Sequence, residues 1–149
     1  MRPFVLASAG RAIPARNLHV TLAFLGQVPE LQLEVAKQCA DRVGSCGPID
    51  LRFHRVEVWK RSRVLSLVPL ATPPELSELV ERLKFNLLSE HFEIRREEYR
   101  PHLTLARDAK KRIDEALPNP LAWSTRQFVL VQSETSASGS SYTVLHYWE

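Results

Sequence analysis

The chain has 149 residues, of which 44% are hydrophobic and 25% are charged, and its formal net charge is +3 at pH 7. This length suits a single domain with its own core, which we expect to span residues 1–149, and the hydrophobic content argues against a disordered chain. The mild positive charge permits a phosphate-bearing ligand without requiring one. No apolar run approaches the roughly 20 residues of a membrane-spanning helix, so none is expected.

The two cysteines, Cys39 and Cys46, form no Cys-x-x-Cys motif. Such spacing indicates neither a disulfide framework nor a zinc site. Cys39 falls on an apolar helical stripe and is expected in the core. We therefore expect reduced thiols and a cytoplasmic protein.

The first half of the chain predicts strands, one helix and a β-hairpin. Four β-prone segments predict strands, at residues 4–7, 17–25, 49–59 and 64–68. The last two are expected to pair through a turn at residues 61–62. Residues 31–43 predict a helix because apolar residues recur every four positions, and Gly44 suits its end.

The second half predicts a long helix and three more strands. Thr72 and Glu75 form a candidate capping box, with Pro73 at the first helical position, and an apolar stripe then runs to about His91. Strands are expected at residues 102–106, 127–132 and 142–148, a hairpin turn at residues 136–140, and an irregular stretch at residues 108–125. This order indicates an α+β protein with mostly antiparallel pairing, in two similar β-rich halves, each with one packed helix, around a groove.

The strongest functional signal is a four-residue motif that occurs twice. His19-Val20-Thr21-Leu22 and His102-Leu103-Thr104-Leu105 both read His-x-Thr-x within β-prone runs. Because residues i and i+2 of a strand share a face, each motif presents an imidazole and a hydroxyl on the same face. Two such motifs predict a pseudo-symmetric site that converges on one small anionic group.

These residue types suit acid–base chemistry on a phosphate. One imidazole can take a proton from water while the other gives one to a departing alcohol. Threonine hydroxyls can donate to the non-bridging oxygens that gather charge in the transition state. Arg107 and Phe24, each five residues after a motif histidine, could bind the anion and stack on a base if they lie where their strands turn.

Other interpretations remain open at this point. A single His-x-Thr in a strand is usually an ordinary position, and Phe24 and Arg107 could be structural. A metal site is a weaker alternative, because no carboxylate or cysteine stands at ligand spacing around either motif. His54, His91 and His146 are expected on the surface or in the core. Tyr99 and Arg100 could contact a ligand, but a structural role is expected for both.

The residues around both motifs carry a family resemblance. Residues 17–26 (NLHVTLAFLG) and 100–107 (RPHLTLAR) resemble the two signature segments of the 2H phosphoesterase superfamily, and within it the RNA 2′,3′-cyclic phosphodiesterases, also called 2′-5′ RNA ligases. The resemblance covers roughly residues 13–148. It implies a bilobal, pseudo-two-fold α+β fold around a central groove, and hydrolysis of cyclic phosphate ends of RNA or oligonucleotides to 2′-phosphomonoesters without metal or other cofactor. Ligase activity would be minor.

The resemblance also implies residue roles. His19 would be the proton donor to the leaving 3′ oxygen, and His102 the proton acceptor that activates water. Thr21 and Thr104 would hold the phosphate. Arg107 would bind the phosphate, and Phe24 would stack on the base.

One departure from the family pattern concerns the start of the chain. Only 18 residues precede His19, so we expect the family's N-terminal strand but not the full helix after it. The gap would expose apolar surface and favour association with a second chain. Two alternative functions stay open: hydrolysis of a small cyclic nucleotide or ADP-ribose cyclic phosphate, and a module that binds RNA ends or nucleotides without turnover.

Overall fold

The structure is a computed structural model that describes residues 1–136 and 139–149. Its contacts divide the chain into two compact units. The first unit comprises Met1–Thr21, Leu51–Thr72 and Arg100–Trp123, and the second comprises Leu22–Asp50, Pro73–Tyr99 and Ser124–Glu149. The expectation of one domain over residues 1–149 stays a prediction.

Helices and strands are numbered in chain order. They are α1 (Arg2–Ser8), β1 (Arg11–Ala12), a 3₁₀ helix (Ala15–Asn17), α2 (Glu30–Asp41), β2 (Ile49–Trp59), β3 (Val64–Pro69), α3 (Pro74–Ser89), β4 (Leu103–Arg107), β5 (Asp114–Thr125), β6 (Phe128–Ser136) and β7 (Gly139–Trp148). The α+β class and antiparallel pairing predicted from the sequence are confirmed.

The first unit is built on a five-stranded sheet of order β1-β4-β3-β2-β5. The pairs β1–β4, β4–β3 and β3–β2 are antiparallel. Strand β2 has the predicted bounds and pairs with β3 as predicted. Strand β3 is buried along nearly its whole length because it lies inside the sheet, and Leu65 and Leu67 are inaccessible to solvent.

The second unit contains α2, α3 and the two-stranded β6–β7 sheet. The predicted stripe of α3 forms its core, with Leu76, Leu79, Val80, Leu83 and Leu87 buried. Cys39 of α2 is buried as expected, and Asn86 Nδ2 of α3 donates to its backbone oxygen at 2.9 Å. Both long helices belong to this unit, whereas the sequence predicted one helix in each half. The centre of the predicted hairpin turn, residues 137–138, lies outside the described residues.

The prediction of a strand at residues 4–7 was wrong, because these residues belong to helix α1. Pro3 stands in the first helical turn, where its missing N–H costs nothing. A short apolar run fits either a strand or a buried helix, so periodicity alone could not separate the two. Whether the family's own N-terminal helix is absent stays untested.

The prediction of a strand at residues 17–25 was also wrong. Strand β1 pairs with one edge of β4, and just after β1 the Ile13 N–H donates to Leu105 O at 2.8 Å. The chain next leaves this edge through the 3₁₀ helix and returns at a single bridge, Val20 to Leu103. Without a longer ladder, the β-prone run after Val20 stays irregular.

Two further differences have local causes. Residues 114–125 form strand β5, although their prolines predicted an irregular stretch. Strand β5 lies at the edge of the sheet, where proline is tolerated. Helix α3 begins at Pro74 with Pro73 as its N-cap, so the predicted capping box of Thr72 and Glu75 does not form.

Candidate active site

Both His-x-Thr motifs meet at one edge of strand β4. Val20 pairs with Leu103 in an antiparallel bridge, and the histidine and threonine of each motif belong to the first unit. In this register His19 lies opposite Thr104, and Thr21 lies opposite His102. Alternation along β4 puts Thr104 on the face opposite to Leu103, and the same alternation about the bridge predicts His19 and Thr21 on that face. Directly opposite residues of an antiparallel pair have Cβ atoms about 4.5–5.5 Å apart, so this register predicts that the four side chains lie close together.

Burial follows the same alternation. In the second motif, Leu103 and Leu105 are buried while His102 and Thr104 are half-buried. In the first motif His19 and Thr21 are exposed. The apolar residues of the second motif therefore anchor its backbone, while the polar residues of both motifs remain accessible to a ligand.

Each motif histidine is held by a backbone carbonyl two residues earlier. His19 Nδ1 lies 2.7 Å from Asn17 O, and His102 Nδ1 lies 2.9 Å from Arg100 O. A carbonyl oxygen can only accept, so each Nδ1 is the donor. In the neutral ring Nε2 then carries the lone pair, and Nε2 is the atom that can take up or release a proton.

Beside His102 lies an aromatic and charged group, of which only Arg100 was singled out from the sequence. The ring centroids of Trp59 and His102 are 4.4 Å apart, with the planes tilted by 52°. Trp59 Nε1 donates to Glu57 Oε1, and Arg100 lies 3.7 Å from Glu57 and 5.5 Å from the indole centroid. Alternation places Glu57 and Trp59 on one face of β2, but only the cross-strand register brings them to the second motif.

A buried hydroxyl lies in the same row of residues. Ser66 of β3 pairs with Thr104 of β4 on one side and Glu57 of β2 on the other. Ser66 is fully buried, and its Oγ has no hydrogen-bond partner within the part of the chain that is described. This row links the second motif to the charged group on β2.

The remaining two candidate residues take strand-end or loop positions. Arg107 is the exposed last residue of β4 and is followed by Asp108 at φ 57°, so the chain turns there as required. Alternation puts Arg107 on the face of Leu103 and Leu105, away from the motif hydroxyls. Phe24 belongs to the second unit and is 71% exposed, two residues before Gly26 at φ 71°.

Tyr99 directly precedes the second motif. Burial raises the pKa of its phenol well above the ordinary value, so the hydroxyl stays neutral at physiological pH. Lys84 Nζ lies 5.9 Å from the Tyr99 ring centroid. These contacts tie the segment before Arg100 to helix α3, as expected of a structural residue.

The described residues contain neither a metal-ligand cluster nor a membrane-spanning helix. Across residues 1–136 and 139–149, no cluster of three or more His, Cys, Asp or Glu side chains is arranged to hold a metal ion. In the same residues no helix is long and apolar enough to cross a membrane.

Comparisons with known proteins show the family to which the chain belongs. The sequence matches the profile of the 2′-5′ RNA ligase superfamily over residues 3–134. It is 32% identical to the RNA 2′,3′-cyclic phosphodiesterase of Escherichia coli (strain K12) over 143 residues, which cover 94% of this chain and 80% of that protein.

Solved structures of E. coli LigT resemble the fold. The complex with 3′-AMP superposes with a TM-score of 0.85 at 28% identity, covering 99% of this chain and 87% of that one. The complex with phosphate gives a TM-score of 0.76 at 30% identity, covering 95% and 80%. The chain belongs to the 2′-5′ RNA ligase superfamily and has the 2H phosphoesterase fold.

Proposed function

We propose that this chain is an RNA 2′,3′-cyclic phosphodiesterase that hydrolyses cyclic phosphate ends to 2′-phosphomonoesters by two-histidine acid–base catalysis. The observation that carries the proposal is the bridge between Val20 and Leu103, because it brings the two motif segments side by side and so supports one site with two imidazoles and two hydroxyls. The E. coli relative bears this activity in its name, and LigT binds 3′-AMP and phosphate.

The roles of the histidines follow the family pattern. His102 Nε2 takes a proton from water as the water oxygen bonds to phosphorus. The bond from phosphorus to O3′ breaks, and His19 donates a proton to O3′. The product keeps its phosphate on O2′. One ring must therefore be neutral and the other charged, so the rate should pass through a maximum as pH varies.

The threonines and two further residues bind the substrate in this proposal. Thr21 and Thr104 donate to the non-bridging oxygens, which gather charge in the transition state. Arg107 contributes positive charge to the same phosphate, although its position in β4 requires its side chain to reach around the strand end. Phe24 provides an exposed ring on which the terminal base can stack.

The site of action is proposed to be the cytoplasm. Cys39 and Cys46 are both free and buried. Burial raises the pKa of each thiol, with Arg42 opposing this effect at Cys39, so both remain protonated near neutral pH. Unpaired thiols suit a reducing compartment.

The test is incubation with an oligoribonucleotide bearing a 2′,3′-cyclic phosphate, in the presence of chelator. The product should carry a 2′-phosphate, shown by resistance to a phosphatase specific for 3′-phosphates or by NMR. A 3′-phosphate product, or turnover that chelator abolishes, would contradict the mechanism. Parallel reactions with a cyclic mononucleotide and with ADP-ribose 1″,2″-cyclic phosphate identify the preferred substrate. Binding of the cyclic end without hydrolysis would make the chain a binding module.

A further inference from the structure

We propose that Trp59 is a positioning residue for His102, and that Glu57 and Arg100 hold its indole in place. This inference rests on the proposed function, because it assigns His102 to the reaction. The four residues belong to the same compact unit and come from β2 and from the chain around β4.

The contact between the two rings spans the sheet. Strand β3 lies between β2 and β4, yet the centroids of Trp59 and His102 are only 4.4 Å apart. The large indole therefore reaches across β3 to lie against the imidazole. Such a contact blocks rotation of the imidazole toward β2.

The indole is itself fixed at its edge and its face. Its Nε1 donates to the Glu57 carboxylate, which is 22% exposed and also pairs with Arg100 at 3.7 Å. The Arg100 guanidinium lies 5.5 Å from the indole centroid, within range of a cation–π interaction. Trp59, Glu57 and Arg100 thus make a closed set of three mutual contacts.

Arg100 connects this set to the histidine a second time. Its backbone oxygen accepts from His102 Nδ1 at 2.9 Å, while its side chain packs on the indole. The carbonyl contact alone does not distinguish a catalytic ring, since His54 makes the same bond to Arg52 O at 2.7 Å. At His102 the carbonyl fixes the tautomer, and the indole additionally restricts the plane of the ring. Together they hold Nε2 in one direction.

The expected consequence is a loss of turnover without a loss of binding. A misplacement of about 1 Å at a reacting group can lower a rate by about 100-fold. Trp59→Leu should lower kcat on a cyclic-ended oligonucleotide by about 10- to 100-fold and leave KM nearly unchanged. Trp59→Phe keeps an aromatic ring in this place and should restore most of kcat. Arg100→Gln keeps the backbone carbonyl but removes the guanidinium from the indole, and its kcat should lie between those of Trp59→Leu and Trp59→Phe.

Trp123→Leu is the matched control. Trp123 is also in the first unit, where its ring stacks on Phe53 at 6.5 Å. Removal of this indole should lower the melting temperature and leave kcat unchanged. A kcat within about twofold of wild type in Trp59→Leu would overturn the proposal. So would a raised KM at constant kcat, because the indole would then bind substrate.

A measurement without turnover keeps this inference separate from the proposed function. The ¹⁵N chemical shifts of the His102 ring report which nitrogen carries the proton. Wild type and Trp59→Phe should show one tautomer with the proton on Nδ1. In Trp59→Leu the ring is free to turn away from Arg100 O and lose that bond, so this variant should show exchange or a mixture. Identical ring spectra in all three proteins would refute positioning. If wild type hydrolyses no cyclic phosphate, the proposed function fails, and these spectra alone decide whether Trp59 orients His102.

Discussion

Val20 pairs with Leu103 across one antiparallel bridge, and this pair relates the two His-x-Thr motifs by a local two-fold arrangement. The residues that flank such a pair face each other in reverse order, so this register predicts each histidine opposite the threonine of the other motif. Both motifs therefore contribute to both halves of the site. Damage to either segment should affect proton transfer and phosphate binding together.

The two threonines should matter for the rate more than for binding. Thr21→Val and Thr104→Val remove a hydroxyl and keep the branched shape. Loss of one preorganised donor to a developing oxyanion lowers kcat by about 100- to 1,000-fold. The decrease in kcat of each variant should fall in or near this range. Steady-state kinetics on the cyclic-ended oligonucleotide measure the effect.

Thr143→Val in β7 is the control for these variants, because Thr143 is exposed and belongs to the second unit. Its kcat should equal that of wild type. Full activity in both motif threonine variants would remove the hydroxyls from the mechanism.

Phe24 should affect binding of the base. Base stacking on an aromatic ring is worth about 1–3 kcal/mol, so Phe24→Ala should raise KM for the oligonucleotide by about 5- to 150-fold and largely preserve kcat. Phe85→Ala is a matched control in the same unit, since Phe85 is 73% exposed and Phe24 is 71% exposed. Equal KM values for the two variants would argue against stacking on Phe24.

The buried hydroxyl of Ser66 should lower the free energy of unfolding. A buried hydroxyl without a partner carries a desolvation penalty of about 1–3 kcal/mol, which an alanine does not pay. Ser66→Ala should therefore raise the free energy of unfolding by up to about 1 kcal/mol after loss of packing around the oxygen. Urea denaturation measures this change. A loss of more than about 1 kcal/mol would mean that the hydroxyl makes a stabilising bond.

Tyr99 should make stability fall in alkali. Its folded pKa is raised by burial, so the native phenol keeps its proton where the unfolded one loses it. The contribution of Tyr99 to the free energy of unfolding is complete below the unfolded pKa of about 10 and is lost as pH rises toward the folded pKa. The stability of wild type relative to Tyr99→Phe should therefore decline between about pH 9 and about pH 11. A constant difference across this range would contradict burial of the phenol.

The sequence predicts best those elements that carry a strong periodic pattern. Strand β2 has dense β-branched and aromatic alternation, and its predicted bounds are those of the structure. The stripe of α3 predicts its buried face for the same reason. Helix α1 was missed because its sequence is short and its proline stands in the first helical turn, where proline is tolerated. Strand β5 was missed because its prolines are tolerated only at its position on the edge of the sheet.

The candidate site is predictable only within each motif. Repetition of His-x-Thr-x indicates that the two segments act together, and alternation predicts which residues are buried. The register of Val20 with Leu103 depends on how the chain leaves β4 at the 3₁₀ helix and returns. Trp59 and Ser66 join the site through cross-strand neighbours in β2 and β3, which a local pattern does not contain.

The most direct test is the rate of hydrolysis of a 2′,3′-cyclic-ended oligoribonucleotide by His19→Ala and His102→Ala, with chelator present and folding verified by circular dichroism. Acid–base assistance contributes about 100- to 10,000-fold for each group. Each variant should lose at least about 100-fold in kcat, and the double variant should be little worse than the single ones, because the two rings act in one step. A kcat within about tenfold of wild type in either folded variant would contradict two-histidine catalysis.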